Sequence, residues 1–277
     1  MVAHTETALR GGVYLYCLAR SSNAEVIRQL SLASGESEAH FPVEVLDVDG
    51  LQAVIGEIDT AQFTEENLQA IGWLGPRAMW HDTVVDGVSR SSTILPVKFG
   101  TIFKSPESLA KYLAQHQSEI LARLDYLADK REWSLKGYLG EAQARQMISA
   151  TDAQIQARVA ALSSSPGVRY LQERQIETLI DASLRAWIER LGADLCAQFG
   201  LHAVDSAMLR CHASAMTGRA ERMVFNCCFL ISPGAHDDFA DTLTAQRLVY
   251  EGTGLTLELR GPWPPYNFCP PLQAPEQ

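Results

Sequence analysis

A chain of 277 residues that is 47% apolar and 20% charged carries enough apolar material for one large globular domain or two ordinary ones, which excludes a largely disordered polypeptide. Its formal net charge is −10, the acids are spread through both halves and basic residues never cluster, so neither nucleic acid nor an anionic membrane surface fits as a partner. No basic segment followed by a signal-length apolar run opens the chain and no stretch suits a bilayer span, while six irregularly spaced cysteines in so large a chain point to reduced thiols in a cytoplasmic protein.

In chain order, Val13 to Leu18 alternates and is rich in tyrosine, which predicts a first strand, and Asn23 to Leu30 predicts a short helix before a Ser/Gly/Glu-rich loop. Val43–Val48 and Ala53–Ile58 read as a hairpin, because Asp49-Gly50 suits the positive φ angles of a tight two-residue turn. Thr64 caps the next helix, with Glu65 and Glu66 where the helix dipole favours negative charge. Its predicted apolar stripe is Ile71, Leu74, Ala78, His81, Val85 and Val88, running to about Arg90 and weakened by Gly72 and Gly75. Thr93–Phe103 follows as a buried strand interrupted by Pro96 and Gly100, hence at a sheet edge. Ser105-Pro106-Glu107 starts a second long helix with the stripe Leu109, Leu113, His116, Ile120, Leu124 and Leu127. Trp133–Leu139 is expected to complete this sheet, with the helices on one face.

From Glu141 to about Ala161 the sequence is polar, alanine-rich helix, broken by Ser163-Ser164-Ser165-Pro166-Gly167. A long helix from Val168 to Phe199 carries Ile176, Ile180, Leu184, Ile188, Leu191 and Leu195 along one stripe. Two strands, Ala203–Cys211 and Arg222–Ile231, flank a Thr217-Gly218 turn; a helix from Ala235 to Glu251 and a half-exposed strand from Leu255 to Leu259 close the pattern. The fold class is therefore α+β: two ferredoxin-like domains in tandem, 1–139 and 140–260, followed by a C-terminal proline and aromatic extension, 261–277.

Candidate chemistry is sparse. His81-Asp82 with nearby Asp86 offers acid and base groups, but His81 lies on the apolar stripe and no nucleophile or G-x-S-x-G context accompanies it, so a packed histidine is the better reading and a His81 hydrolase ranks last. Cys196, His202, Cys211, His212, Cys227 and Cys228 lack zinc-knuckle spacing, and period two places Cys227 on one strand face with Met223, Phe225, Phe229 and Ile231, as a small core hydrophobe. Gly72-Trp73-Leu74-Gly75 and Gly252-Thr253-Gly254 lack the context and lysine of a phosphate cradle. The reading is a non-enzyme with no metal and no cofactor. In Gly261–Phe268, GPWPPYNF, three prolines stiffen a frame bearing Trp263, Tyr266 and Phe268; it either straps over its own chain or forms a partner site, and both can hold.

Six segments in order resemble the gas vesicle protein F/L family: Val13-Tyr14-Leu15-Tyr16; Trp73-Leu74 with His81-Asp82-Thr83-Val84-Val85-Asp86; Leu95-Pro96-Val97-Lys98-Phe99-Gly100-Thr101; Trp133 to Tyr138; Pro166-Gly167-Val168-Arg169-Tyr170-Leu171; and Gly261 to Phe268. The resemblance implies two ferredoxin-like halves and a C-terminal extension, a role in gas vesicle formation beside the small hydrophobic shell protein and other accessory proteins, a location in the cytoplasm at the vesicle, and no enzymatic activity. It supplies no catalytic residues. It leaves the thiols, including Cys227, Cys228 and the Cys269-Pro270-Pro271 tail, without a role. The expected partner-binding residues are Leu95, Pro96, Phe99, Trp263, Pro265, Tyr266 and Phe268. The alternative function is a small-molecule-binding regulator with a ligand cleft between the two domains.

Overall fold

The computed structural model describes residues 11–269, so Pro270 and Pro271 lie outside the described residues. The described chain forms two compact units: one holds the residues up to Lys130 together with those from Trp263 onward, and the other holds Arg131–Pro262.

The first unit begins with β1 (Gly11–Ala19), α1 (Ala24–Ser34), β2 (Glu44–Val48) and β3 (Leu51–Asp59). Asn23 caps α1 by accepting from the amides of Glu25 and Val26. Asp49 and Gly50 both have positive φ, 47° and 82°, the two-residue turn that joins β2 to β3. Next come α2 (Glu65–Gln69), α3 (Ile71–Ser89), β4 (Ile94–Pro96), β5 (Ile102–Phe103) and α4 (Pro106–Leu127). The sheet order is β2-β3-β1-β4, with β5 also paired to β1, and every pair is antiparallel. The strand expected between Thr93 and Phe103 is thus an interrupted edge, split where Gly100 turns with φ 84°.

Two expectations for this unit are corrected. The helix capped by Thr64 is two helices, because Ala70 is extended (φ −82°, ψ 105°) ahead of a turn holding Gly72, Gly75 and Pro76. The break resets the phase: Ile71 is exposed, and the inward face is Arg77, Trp80, His81, Val84, Val85 and Val88. Helices also cover both faces of the sheet. Apolar residues of α1 and α3 meet Tyr14, Tyr16 and Val54 in one core, while Leu109, Leu113, Ile120 and Leu124 of α4 bury against the strands elsewhere. That is why β1 is buried at eight successive positions, with a bulge between Leu15 and Cys17 re-phasing its alternation.

The second unit runs β6 (Arg131–Leu139), α5 (Glu141–Thr151), α6 (Ala153–Ala160), α7 (Pro166–Gly200), β7 (Asp205–Met208), α8 (Ser214–Thr217), β8 (Arg222–Ile231), α9 (His236–Val249) and β9 (Leu255–Trp263). Its sheet order is β7-β8-β6-β9. The strand expected to complete the first sheet, Trp133–Leu139, belongs instead to the second, where β6 pairs with β8 from Arg131↔Ile231 to Leu139↔Arg222. The match is local: Trp133 and Leu135 stand opposite Phe229 and Cys227, and Gly137 leaves room for Phe225, whose Cβ lies 2.9 Å from where a Cβ at 137 would stand. With β6 reassigned, both sheets share one strand order, second-third-first-fourth, the ferredoxin-like arrangement.

The second core is apolar. Leu191, Leu195 and Phe199 of α7 and Phe239 and Leu243 of α9 pack on Phe225, Cys227, Phe229 and Ile231. The expected helix 141–161 divides at Asp152, whose carboxylate caps α6 through the amides of Gln154 and Ile155. Arg145 of α5 pairs with Glu177 and Asp181 of α7.

Candidate functional site

The residue types that might carry chemistry in the first unit converge on one place. Period two puts Tyr14 and Tyr16 of β1 on the same face, and the inward face of α3 brings Trp80 and His81 to meet them. The Tyr14 hydroxyl lies 2.8 Å from His81 Nδ1, and His81 Nε2 lies 3.1 Å from the carbonyl oxygen of Val97. A carbonyl only accepts, so Nε2 carries the proton, Nδ1 accepts, and Tyr14 donates to it. Tyr14 in turn accepts from the Gly100 amide at 3.3 Å. Beside it, Trp80 Nε1 donates to the Phe41 carbonyl (2.9 Å) and the Tyr16 hydroxyl (3.2 Å), and Tyr16 donates to Phe41 O (3.2 Å). Each of these bonds joins segments far apart in sequence: β1, the 41–42 loop, α3 and the turn between β4 and β5.

The electrostatics match a closed polar core. His81 is 2% exposed, and burial lowers its pKa from 6.5 to about 4, against a smaller opposing effect of the Val97 carbonyl. Burial pushes the phenols of Tyr14 and Tyr16 far above their ordinary range. Both ring nitrogens of His81 are engaged, so it has no free position for a substrate proton, and the hydrolase reading of His81 has no geometric basis. Two concavities lie elsewhere: one of 380 Å³ between Gly11, Glu57, Asp59, Lys104 and Ser105, where the Ser105 hydroxyl serves as the cap of α4 by accepting from the Ser108 amide, and another of 500 Å³ between Gln143, Arg247, Glu251 and Gly254. Among the described residues no group of three His, Cys, Asp or Glu side chains could hold a metal ion, and no helix is long and apolar enough to cross a membrane.

The C-terminal segment docks on this same core. The Tyr266 ring lies 6.4 Å from that of His81, and its hydroxyl donates to Asp82 Oδ1 at 3.4 Å; burial raises the Asp82 pKa, partly offset by that bond. Pro264, Pro265 and Phe268 are buried, and the Cys269 thiol donates to Pro265 O at 3.0 Å. The segment is therefore a strap completing the first unit. Of the seven residues expected to bind a partner, Leu95, Pro96, Pro265 and Phe268 are buried. Phe99 and Tyr266 are half-buried, with Phe99 packed edge-on to Tyr14 and His81, and Trp263 is 46% exposed. Sequence reasoning did not bring Tyr14, His81, Gly100 and Tyr266 together. The available signal was period two at Tyr14 and Tyr16 and the place of His81 on an inward helix face.

In the second unit Cys227 is fully buried in the apolar core, with Cys196 packed against that core, and burial raises both thiols. Cys228 is buried on the opposite face, pushed up to about 12 by burial and by Glu132. Thiols held protonated in this way are poor nucleophiles and poor metal ligands.

The fold resembles solved structures of two gas vesicle proteins. The crystal structure of GvpF from Anabaena superposes with a TM-score of 0.71 at 16% identity, over 95% of this chain and 100% of that one. GvpF from Microcystis aeruginosa gives 0.61 at 17% identity, over 93% and 98%. Among curated proteins the chain is 24% identical to gas vesicle protein L1 and 26% identical to gas vesicle protein L2 of Halobacterium salinarum; the two alignments cover 98% and 97% of this chain and 94% and 95% of those proteins. The family model described as gas vesicle synthesis protein GvpL/GvpF matches residues 12–270. On that match, across both sheets and the strap, the chain belongs to the GvpL/GvpF family of gas vesicle synthesis proteins.

Proposed function

We propose that the protein acts in gas vesicle formation as a non-enzymatic assembly factor in the cytoplasm, holding apolar segments of the small hydrophobic shell protein before they polymerise. The observation that carries this reading is the strap. Its prolines and its Tyr266 contacts fix a stiff frame on the first unit and leave the Trp263 indole at the surface, a large, pre-organised aromatic anchor of the kind that dominates binding energy. The proposed contact surface is Trp263 with the open parts of Phe99 and Tyr266, while Leu95, Pro96, Pro265 and Phe268 are buried. The test is co-purification of the shell protein with the full chain. Trp263→Ala should fold normally and retain about tenfold less shell protein. Equal capture by the folded variant would reject this placement, and no capture by the unaltered chain would reject the function.

A further inference from the structure

The entire formal charge of the chain sits in one stretch of the first unit. Residues 29–89 hold eleven Asp and Glu against a single base, Arg77, a net −10, while in the rest of the chain 22 acids balance 22 bases. Arg77 is buried: its guanidinium lies 4.2 Å from the centre of the Trp73 ring and donates to the carbonyls of Trp73 and Glu38, so no Lys or Arg of this stretch is exposed. Nine of the eleven acids are exposed. Among the described residues only Asp86 of the eleven forms an ion pair, with Arg90.

This charge surrounds an apolar surface on the outward face of α3. At 3.6 residues per turn, Ile71, Gly75, Met79, Asp82 and Asp86 fall opposite the inward Arg77, Trp80, Val84 and Val88. Ile71 is 80% exposed and Met79 71%, and nothing lies within 4 Å of where a Cβ at Gly75 would stand. The row is therefore two apolar posts about 12 Å apart along the helix with an open notch between them. On one flank α1 packs its Leu30 against Gly87 and exposes Leu32 (66%); on the other the Tyr266 hydroxyl reaches Asp82. At the N-terminal end, α2 adds exposed Leu68 (41%), Glu65 and Glu66. None of Leu32, Leu68, Ile71 and Met79 belongs to the core beneath these helices.

Sign and layout narrow what can cover this face. Its negative charge repels nucleic acid and anionic lipid. Among the described residues no three carboxylates converge as a metal ion would require. A second copy of the chain brings no complementary charge, because its only charge excess is this same acidic stretch. A helix fits: its apolar ridge can lie in the notch between the two posts, and cationic residues along its margins meet the flanking carboxylates. We propose that the outward face of α3, with Leu32 and Leu68 beside it, docks a basic amphipathic helix of a partner protein, its Lys or Arg side chains set against Glu65, Glu66 and Asp82. The site uses neither Trp263 nor Phe99 and stands whether or not the shell protein binds at the strap.

The experiment is fluorescence anisotropy of the full chain with a labelled amphipathic peptide of Leu and Lys, about four turns long, and with its counterpart of Leu and Glu. Three double variants accompany the unaltered chain: Ile71→Ser with Met79→Ser, Glu65→Gln with Glu66→Gln, and, away from the site, Asp238→Asn with Asp241→Asn on α9. Unchanged melting temperatures establish that each is folded. The expected result is saturable binding of the Leu/Lys peptide alone, weakened about tenfold by each of the first two pairs and unchanged by the third. No binding of the Leu/Lys peptide, equal binding of the Leu/Glu peptide, or equal losses in all three pairs would overturn the proposal. So would unchanged affinity in the Ile71→Ser, Met79→Ser pair, since attraction by charge alone needs no apolar posts. If the chain dimerises with rising concentration, that pair abolishes the dimer and the Leu/Lys peptide does not compete with it, the occupant is a second copy and the proposal falls.

Discussion

The Tyr14 hydroxyl donates to His81 Nδ1 across 2.8 Å while accepting from the Gly100 amide, so one phenol ties the central strand, the long helix and the sheet-edge turn of the first unit together. Segments by which the chain resembles its family meet at this point, and their residues hold the fold.

Tyr14→Phe should therefore destabilise more than the loss of one ordinary hydrogen bond. It leaves His81 Nδ1 buried without a donor and removes the acceptor of the Gly100 amide. The expected loss is about 2–3 kcal/mol. Urea unfolding followed by circular dichroism measures it, and the slope with denaturant should stay unchanged. A loss under half a kcal/mol would mean that the network is not a stability element.

The lowered pKa of His81 gives stability a defined pH dependence. Between about pH 6.5 and pH 4 the unfolded chain protonates this imidazole and the folded chain does not, so stability falls as pH falls through that window. The full effect is about 3 kcal/mol. Asp82, whose carboxyl is raised by burial, acts in the opposite direction, because folding favours its protonated form. Melting curves across this range, compared with those of His81→Gln, isolate the histidine: the variant should lose most of the slope.

The strap should behave as a packed element. Tyr266→Phe removes only a 3.4 Å hydrogen bond to Asp82 and should cost less than about 1 kcal/mol. Tyr266→Ala empties a place in the core beside His81 and should cost about 3 kcal/mol. Limited digestion with chymotrypsin should then cut after Phe268 in the alanine variant and spare the phenylalanine one.

Gly254→Ala tests a backbone position in the second unit. Its φ is 84°, and a Cβ there would lie 2.9 Å from the Gly140 carbonyl oxygen, so alanine should lower stability by about 2–3 kcal/mol. Gly234→Ala, with nothing within 4 Å of its Cβ position, should be close to neutral in the same denaturation assay.

What the sequence made legible was mostly local. The Asp49-Gly50 hairpin, the Ser105-Pro106 helix start and the stripes of α4 and α7 follow from turn chemistry, capping and periodicity, which act within a few residues. The destination of β6 was not legible, because a strand's apolar pattern does not say which of two sheets receives it; only the nine-residue match to β8 does. Ile71 misled for a related reason: a stripe read straight through Ala70 ignores the phase change that an extended residue introduces. At the strap, the aromatic residues identified the segment, but which of them face solvent depends on Asp82 and His81, far away in sequence.

Hydrogen exchange on the full chain, alone and with the shell protein, tests most directly whether the protein works by surface contact. The account predicts slowed exchange at the amide of Trp263 and no change at those of His81 and Gly100, whose network is already closed. Complex formation without added protection at Trp263, or opening of the His81 network on binding, would contradict it.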